Sequence, residues 1–324
     1  LYKAERISPE DKLILENIAR ILLLQKKYKN SESYFKKLIS LDTQSLKKII
    51  PVIQGYTYVG DNLNYIETTK YYVKNLLKKP IEYKFSNLKT TKIKIGFVSP
   101  DIRNHPIGYF LKDLLPFLSK NFEIYIFNTG GVQDQISNYA KDFSQWKEVS
   151  KISNEELSDK IHKEKIDFLF DMSGFTKGNK LEIFKYKPSP IQISWAGWLA
   201  TSNLKEMDYI LGDFFSIPKS DEKNFSEKIL RMDNIWCVYS KSELKNIKFQ
   251  EKNSEDSIFG CFQRPEKLND EVLTTWSKIL TKKRNSYLFF NNGIQQNYDK
   301  TKILNFFKKN GILSSRIRFA ISRN

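Results

Sequence analysis

The sequence predicts an α/β protein in which a helical segment precedes two lobes, each built on a parallel β-sheet. Residues 1–80 contain few glycines, and their apolar residues recur at helical spacing. From Lys92 onward, short and nearly continuous apolar runs alternate with longer amphipathic segments. That alternation is typical of parallel strands covered by helices on both faces. The polar, aperiodic residues 81–91 are predicted to form a linker between the two regions.

The helical segment is predicted to open with two antiparallel helices over residues 13–42, with a turn near Lys29 and Asn30. One face of the second helix carries an aromatic, a small, a second aromatic and an apolar residue, namely Tyr28, Ser31, Phe35 and Leu38. This order resembles a tetratricopeptide repeat. A weaker pair of helices is predicted over 45–60 and 63–80. The alternative is a generic helical cap on the following domain.

Nine apolar runs predict the strands of the two lobes. Residues 92–250 form the first lobe, with the runs "KIKIGFV", "FEIYIFN", "IDFLFD", "IQISW", "DYILG" and "KILRM". Residues 251–324 begin the second lobe, with "SIFGCF", "SYLFF" and "RIRFA". The chain begins with Leu1 and stops soon after the last run, so we expect a fragment that is open at both ends.

The composition limits which binding partners and which cellular compartment are expected. The net charge of +17 invites a nucleic-acid hypothesis, but the excess is mostly lysine, spread along the chain and mixed with acidic residues. It resembles the codon bias of an AT-rich genome, so no nucleic-acid partner is predicted. Cys237 and Cys261 are the only cysteines, which favours a reducing, cytoplasmic compartment. No membrane span and no metal site is predicted.

Polar residues follow the predicted strands where ligands bind in open parallel sheets, beyond the strands' carboxyl ends. His105, one of two histidines, lies on the loop after "KIKIGFV", and Asp171 ends "IDFLFD". Asp171 precedes a glycine-containing loop, so we expect its carboxylate to face the crevice. Gln263, Arg264 and Lys267 follow "SIFGCF". These clusters are predicted to lie on the rims of the two sheets.

The chain resembles the O-linked N-acetylglucosamine transferases, which carry tetratricopeptide repeats and two facing Rossmann-like lobes of the GT-B fold. The matching stretches include "IGFVSPDIRNHPIGYF", "DMSGFTKG", "MDYILGDFFSIP", "FSEKIL" and "FGCFQRPEKLND". The most specific is "KPSPIQISWAGWLATS", which mirrors the family's Arg-Pro-Ala-Pro-(Val/Ile)-Gln-x-x-Trp-Leu-Gly-Tyr-Pro segment. The resemblance implies a GT-B fold that is truncated here within its second lobe.

The resemblance also implies roles for single residues on the acceptor side. His105 matches a family histidine at the sugar-transfer site, where an imidazole can orient or deprotonate a hydroxyl near neutral pH. Asn104, Asp171 and Thr176 are expected on the same side. His162 lies near a second family histidine and is a further catalytic candidate. The alternatives are a helix-capping role for His105 and a solvated ion pair of His162 with Asp159.

On the donor side, Lys267 matches the family lysine that contacts the donor's diphosphate. A cation there stabilises the charge that develops on the leaving oxygen. Gln263 and Arg264 are expected beside it, although Arg264 stands where the family has an amide. The alternative for Lys267 is an exposed lysine in a lysine-rich chain. The family's His-Thr-Thr motif is absent from the sequence, so we expect residues 1–324 alone to bind UDP weakly.

The implied function is inverting transfer of N-acetylglucosamine from a UDP-sugar to Ser or Thr hydroxyls of proteins, without a metal or cofactor. Acceptor proteins would bind along the helical repeats. Two alternatives remain: a protein N-glycosyltransferase of the same fold that uses UDP-glucose, and a non-catalytic repeat scaffold.

Overall fold

A computed structural model of the chain describes residues 1–76, 82–85, 92–239, 256–263, 265–291 and 297–320. The chain divides into two compact units. The first unit comprises Leu1–Gln54 and Asn62–Asn246, and the second comprises Gly55–Asp61 and Ile247–Asn324. None of the helices within the described ranges combines the length and apolarity needed to cross a lipid bilayer.

The amino-terminal region is helical, as predicted. Its α-helices are α1 (Tyr2–Ile7), α2 (Lys12–Leu24), α3 (Tyr28–Leu41), α4 (Ile50–Tyr58) and α5 (Asn62–Asn75), with a 3₁₀ helix over Thr43–Ile49. The predicted inner face of α3 is buried, and the Ser31 hydroxyl donates to the carbonyl of Ala19 in α2. Pro51 lies in the first turn of α4, where its missing N–H costs no helical hydrogen bond. The tetratricopeptide character of these helices stays a prediction.

The predicted turn near Lys29 and Asn30 is wrong. Helix α2 ends at Leu24, and both residues lie inside α3. The turn instead uses Lys26, which adopts a left-handed backbone with φ of 59°. Glycine usually occupies such a position, because a Cβ atom is disfavoured there. The sequence therefore carried no local marker of the true turn.

The first unit contains a seven-stranded parallel sheet. In chain order its strands are β1 (Lys94–Ser99), β2 (Glu123–Asn128), β3 (Gln145–Glu148), β4 (Phe168–Asp171), β5 (Ile191–Ser194), β6 (Tyr209–Gly212) and β7 (Lys228–Arg231). In space the order is β3-β2-β1-β4-β5-β6-β7. Only β3 was not predicted. It is a polar edge strand with exposed ends, so it lacks the apolar run that identifies the buried strands.

Five helices connect the strands of this sheet: α6 (Pro106–Lys112), α7 (Leu115–Asn121), α8 (Gln135–Lys141), α9 (Asn154–Lys163) and α10 (Leu181–Lys185). The segment around α6 and α7 reads as one helix in the sequence but is two in the structure. Pro116 lies in the first turn of α7, and proline cannot continue the hydrogen-bond ladder of a preceding helix. The core between this sheet and its helices includes Phe97, Leu111, Leu115 and Ile126.

Helix α5 is joined to the loops at the carboxyl edge of the sheet by buried hydrogen bonds. The Tyr65 hydroxyl donates to the carbonyl of Thr201 at 2.7 Å and accepts from Nε1 of Trp198 at 2.9 Å. The Asn203 amide donates to Oγ1 of Thr69 at 2.6 Å. The helical region and the sheet therefore share side-chain contacts within the first unit.

The second unit contains β8 (Ser257–Cys261), α11 (Asp270–Lys282), β9 (Ser286–Phe290), α12 (Asn297–Lys309) and β10 (Ile317–Phe319). The three strands are parallel in the order β10-β9-β8. A short 3₁₀ helix, Pro265–Lys267, follows β8. The core of the second unit is apolar and includes Leu280, Phe290 and Phe307. This β-α-β-α-β arrangement is that of half a doubly wound domain, as predicted.

Candidate functional site

The carboxyl edge of the first sheet is built from loops that approach one another closely. A Cβ atom on Gly130, after β2, would lie 2.4 Å from the carbonyl oxygen of Pro100, after β1. A Cβ atom on Gly174, after β4, would lie 2.3 Å from Cβ of Trp198, after β5. Strand β1 lies between β2 and β4, and the chain crosses from β3 back to β4. Open parallel sheets bind ligands at such a switch point, so this edge is the candidate site.

His105 lies on this edge and caps helix α6. Its Nδ1 accepts a hydrogen bond from the backbone N–H of Ile107 at 3.3 Å, and its backbone is extended. Its Nε2 lies 4.0 Å from Oδ2 of Asp101, and its side chain is 38% exposed. The imidazole therefore caps the helix and also lies beside a carboxylate at the sheet edge. The two alternatives for His105, a capping residue and a site residue, are compatible in this geometry.

The loop that carries His105 is held from both sides. The backbone N–H of Asn104 donates to Oδ2 of Asp134 at 2.5 Å. The Asn104 side-chain oxygen accepts from the hydroxyl of Tyr109 at 3.1 Å. The Arg103 guanidinium is paired with Asp101 at 2.8 Å. Asn104 itself is exposed, so its amide lies at the surface next to the imidazole.

Asp171 does not face the crevice as we expected. Its side chain is 2% exposed, and its two oxygens accept from the backbone N–H groups of Ser173 and Gly174, each at 3.0 Å. An aspartate at a strand end can turn back on the following loop in this way, because its short side chain reaches amides two and three residues on. Burial raises the pKa of Asp171 to about 6, against the opposing effect of the two N–H donors. Asp171 therefore holds the loop after β4.

Thr176 lies further along the same loop. Its hydroxyl donates to the carbonyl of Ser173 at 3.0 Å, and its own carbonyl accepts from the Asn179 amide at 2.6 Å. The side chain is half-buried. Thr176 therefore shares a loop with Asp171 on the candidate edge, and its acceptor-side role stays a prediction.

His162 lies away from the candidate edge. Helix α9 runs from the carboxyl end of β3 to the amino end of β4, and His162 is in its last turn. The His162 ring stacks on Tyr83 at 4.4 Å and meets Phe85 edge-on at 5.6 Å. Asp159 accepts from the Tyr83 hydroxyl at 2.7 Å, in place of the ion pair with His162 that we considered. The structure thus does not bring His162 together with His105, and we do not assign it a catalytic role.

The donor-side candidates lie in the second unit, after β8. Lys267 ends the short 3₁₀ helix, and its ammonium donates to the side-chain oxygen of Gln263 at 3.1 Å. Both side chains are exposed. The hydrogen-bond partner is a neutral amide, which leaves the lysine's positive charge uncompensated by this contact. Arg264 lies outside the described residues.

Two buried carboxylates of the first unit were not assigned site roles from the sequence: Glu227, directly before β7, and Asp213, directly after β6. Glu227 is buried, and it accepts from the Thr201 hydroxyl and from both the N–H and the hydroxyl of Ser202. Asp213 is 3% exposed and accepts from three backbone N–H groups. The sequence marks both positions, since Glu227 lies in "FSEKIL" and Asp213 directly follows "DYILG". Their loop-holding bonds depend on the fold and are not visible in the sequence.

Within the described ranges, no three His, Cys, Asp or Glu side chains cluster in a way that could hold a metal ion. Cys237 is half-buried and Cys261 is buried, and neither belongs to a disulfide.

Comparison with known proteins identifies the family. The model of glycosyl transferase family 41 matches residues 68–250, which is more than half of the chain. The chain therefore belongs to glycosyl transferase family 41.

Named relatives agree with this assignment. A protein of Arabidopsis thaliana described as probable UDP-N-acetylglucosamine–peptide N-acetylglucosaminyltransferase SEC is 30% identical over 216 residues, covering 61% of this chain and 22% of the relative. The UDP-N-acetylglucosamine–peptide N-acetylglucosaminyltransferase of Caenorhabditis elegans is 29% identical, covering 52% and 15%. The chain thus spans about a fifth of the length of the curated relatives it matches.

A solved structure, a mutant of the Thermobaculum terrenum O-GlcNAc transferase, matches 99% of this chain and 64% of its own. The TM-score is 0.81 at 20% sequence identity. This likeness confirms the predicted fold class, an α/β protein of the GT-B type with a helical region before the first Rossmann-like lobe.

Proposed function

We propose that this chain carries the acceptor side and part of the donor side of a protein glycosyltransferase. In this proposal it transfers N-acetylglucosamine, with inversion, from a UDP-sugar to Ser or Thr hydroxyls of proteins or peptides. The family match and the names of the relatives support the proposal. The observation that carries it is the half-exposed imidazole of His105 at the carboxyl edge of the sheet, beside the switch point.

The geometry favours an orienting role for His105. Since Nδ1 accepts the Ile107 N–H, a neutral ring carries its proton on Nε2. A ring in that tautomer donates through Nε2, which suits it to hold an oxygen in place rather than to take a proton. Acceptance of a proton by Nδ1 would first require loss of the capping bond. Positioning of the two reacting groups can by itself supply a large part of a rate enhancement.

Lys267 is proposed to stabilise the departing UDP. Transfer forms a bond between the acceptor oxygen and the anomeric carbon and breaks the bond between that carbon and the diphosphate. Negative charge therefore grows on the diphosphate oxygen, and the hydroxyl proton leaves with the departing UDP. A fixed ammonium lowers the energy of that state more than the energy of bound substrate. Because the positive charge comes from a side chain, we propose that the reaction needs no metal or other cofactor. Gln263 would hold the ammonium in place through the bond described above, and Arg264 is proposed as a second cation.

The compartment and the partners follow from the same proposal. The two cysteines, which form no disulfide, favour the cytoplasm. The helical region is proposed to bind acceptor proteins, and no nucleic-acid partner or membrane is proposed.

The test uses the full-length protein, UDP-N-acetylglucosamine and Ser/Thr-containing acceptor peptides. His105→Ala should lower kcat by about a hundredfold and leave the Kd for UDP unchanged, because the imidazole acts on the acceptor side. His105→Asn should restore the helix cap, which is worth about 1 kcal/mol, but not the turnover. His162→Ala should retain turnover. Wild-type transfer by His105→Ala at saturating donor would contradict the proposal.

Lys267→Ala should lower kcat and also weaken UDP binding, because the ammonium contacts the diphosphate in both states. Lys278→Ala, an exposed lysine on α11, is the matched control and should change neither quantity. Transfer from UDP-glucose to asparagine would instead identify the N-glycosyltransferase. Absence of any transfer, with UDP unbound, would identify the scaffold.

A further inference from the structure

The segment after β7, residues 232–239, crosses the carboxyl edge of the first sheet; we call it the covering segment. The backbone N–H of Trp236 donates to Oδ2 of Asp213, after β6, at 3.0 Å. The carbonyl of Trp236 accepts from Nε1 of Trp195, after β5, at 2.8 Å. The Trp236 side chain packs against the core cluster that also contains Ile102 and Ile107. The middle of the segment is thus held by two neighbouring strand ends.

The far end of the covering segment reaches the loop of His105. The ring of Tyr239 lies 5.8 Å from the ring of Tyr109 in α6, centroid to centroid. Tyr109 in turn donates its hydroxyl to the side chain of Asn104. Strands β7 and β1 are four spacings apart, or about 19 Å. Eight extended residues reach about 26 Å, so the segment is long enough to cross this distance.

Asp213 is the anchor of this arrangement. Its Oδ1 accepts from the N–H groups of Phe215 at 2.9 Å and Ser216 at 2.6 Å, while Oδ2 accepts from Trp236. These donors lower the pKa of the carboxyl, first through the contact with Ser216, so the group is anionic at neutral pH. Hydrogen bonds to a charged acceptor are shorter and stronger than neutral ones. One carboxylate therefore fixes both the turn after β6 and the covering segment.

We propose that Asp213 is a positioning residue for sugar transfer, which acts through residues 232–239 and Tyr109 to hold the Asn104–His105 loop in its reactive position. The proposal rests on the proposed function. The Tyr239 ring packs on the Tyr109 ring, and the Tyr109 hydroxyl bonds to the side chain of Asn104. These two contacts connect the covering segment to the loop of His105. None of these residues needs to contact the sugar.

The activity test compares Tyr239→Ala, Tyr239→Phe and Asp213→Asn in the full-length protein. Tyr239→Ala and Asp213→Asn should lower kcat for peptide transfer by about tenfold, with the Kd for UDP unchanged, because only the acceptor side is displaced. Tyr239→Phe keeps the ring and should retain wild-type kcat. Phe117→Ala removes an exposed ring elsewhere on the unit and should also be silent. Equal loss in Tyr239→Phe and Tyr239→Ala, or no loss in either, would overturn the proposal.

Cys237 provides a readout that does not depend on activity, because it lies within the covering segment. Burial and then the charge of Asp213 raise the pKa of its thiol, which slows alkylation. Release of the segment by Tyr239→Ala should speed iodoacetamide labelling of the Cys237 peptide about fivefold, measured by mass spectrometry. Tyr239→Phe and Phe117→Ala should label at the wild-type rate. An unchanged rate in Tyr239→Ala would refute the covering arrangement even if the protein transfers no sugar, whereas faster labelling without transfer would reject only the proposed function.

Discussion

At the scale of single residues, His105 combines two roles that are usually separate. One ring nitrogen satisfies a helix-start N–H, and the opposite nitrogen lies toward Asp101. The cap fixes the orientation of the ring and its tautomer at the same time, because the bond made by one ring nitrogen decides which nitrogen carries the proton. Pro106 at the first helical position has no N–H that would need an acceptor, and it completes this helix start. The capping bond and the helix start at Pro106 thus hold the imidazole in the orientation that its proposed role requires.

Asp171 is expected to give stability a measurable pH dependence. Its pKa of about 6 in the folded protein exceeds the ordinary value near 3.9, so the folded state binds more protons between these pH values. The free energy of unfolding should therefore fall as the pH rises from about 4 to about 6, and the contribution should stay lost above that. Asp171→Asn removes this contribution. Relative to the variant, the wild type should lose about 2–3 kcal/mol between pH 4 and pH 7.

Urea unfolding of both proteins at several pH values measures this difference, and the titration of all other groups cancels between them. If the difference in the free energy of unfolding between the two proteins stays constant from pH 4 to pH 7, then burial does not raise the pKa of Asp171.

The sequence predicted where the candidate site residues lie relative to the strands better than it predicted their burial and contacts. His105 follows the buried strand β1 and Lys267 follows β8, and the carboxyl end of a strand is a position that topology alone fixes. His162 could have been excluded in the same way, because it precedes β4 and a crossover helix returns to the amino edge. The burial of Asp171 could not be predicted, since it depends on the path of the loop after β4 rather than on residue type.

At the scale of elements, the carboxyl edge is held together by loop-to-loop contacts that only glycine permits. Gly174 has φ of +53°, and the space a Cβ atom would need is occupied by Trp198. Gly197 likewise faces the carbonyl of Met172, 2.1 Å from where its Cβ atom would lie. The loops after β4 and β5 thus pack backbone against backbone. That packing places "DMSGFTKG" and "WAGWLATSN" side by side.

Gly174→Ala is expected to destabilise the protein by about 3 kcal/mol. A left-handed backbone costs a residue with Cβ about 1–2 kcal/mol, and overpacking against Trp198 adds about 1–3 kcal/mol. Gly131→Ala is the matched control, because nothing lies within 4 Å of its Cβ position and its φ is not positive. That variant should change the free energy of unfolding by no more than about 0.5 kcal/mol.

Denaturant unfolding of the two variants beside the wild type makes the comparison. Equal stability of the two variants would mean that the loop after β4 can move away from Trp198 at little cost.

The sequence predicted the strands and helices that carry a clear pattern of apolar residues. All nine predicted strands are present, because each carries an apolar run, and β1, β2 and β9 are buried along most of their length. The missed strand β3 is a sheet edge whose polar residues carry no such run. The split between α6 and α7 was overlooked although Pro116 marks it. Sequence patterns therefore predict strands that carry an apolar run, and they fail at the polar strand β3 and at turns.

At the scale of the whole molecule, the net charge of +17 is the excess of 54 basic over 37 acidic side chains, and some of the basic ones are paired. Lys36 pairs with Glu32, Lys48 with Glu16, and Lys47 with Glu182. Lysines that are paired with carboxylates in this way contribute little to the concentrated basic face by which proteins bind a phosphate backbone. This arrangement agrees with the hypothesis that the excess of lysine reflects genome composition.

Binding to a random DNA duplex is expected to be weak at about 50 mM salt and lost by about 200 mM, because each lysine contact with phosphate releases a counterion. Fluorescence anisotropy of a labelled duplex across this range of salt measures the effect. A duplex of different sequence is the control and should bind equally. Tight, sequence-dependent binding at physiological salt would instead indicate a nucleic-acid partner.

The strand order of the first sheet has a consequence for synthesis on the ribosome. Strand β1 pairs with β2 on one side, but on the other side its partner is β4, where Ile95 is in register with Phe168. At about 5–20 residues per second, the ribosome needs about 4–15 seconds to add the 73 residues that follow Ile95 up to and including Phe168. During this interval the backbone groups on one edge of β1 have no strand to pair with. Strand β1 lies inside the finished sheet, but during this interval it is an edge strand that can pair with another chain. This is therefore the period in which the nascent chain most needs protection by a chaperone.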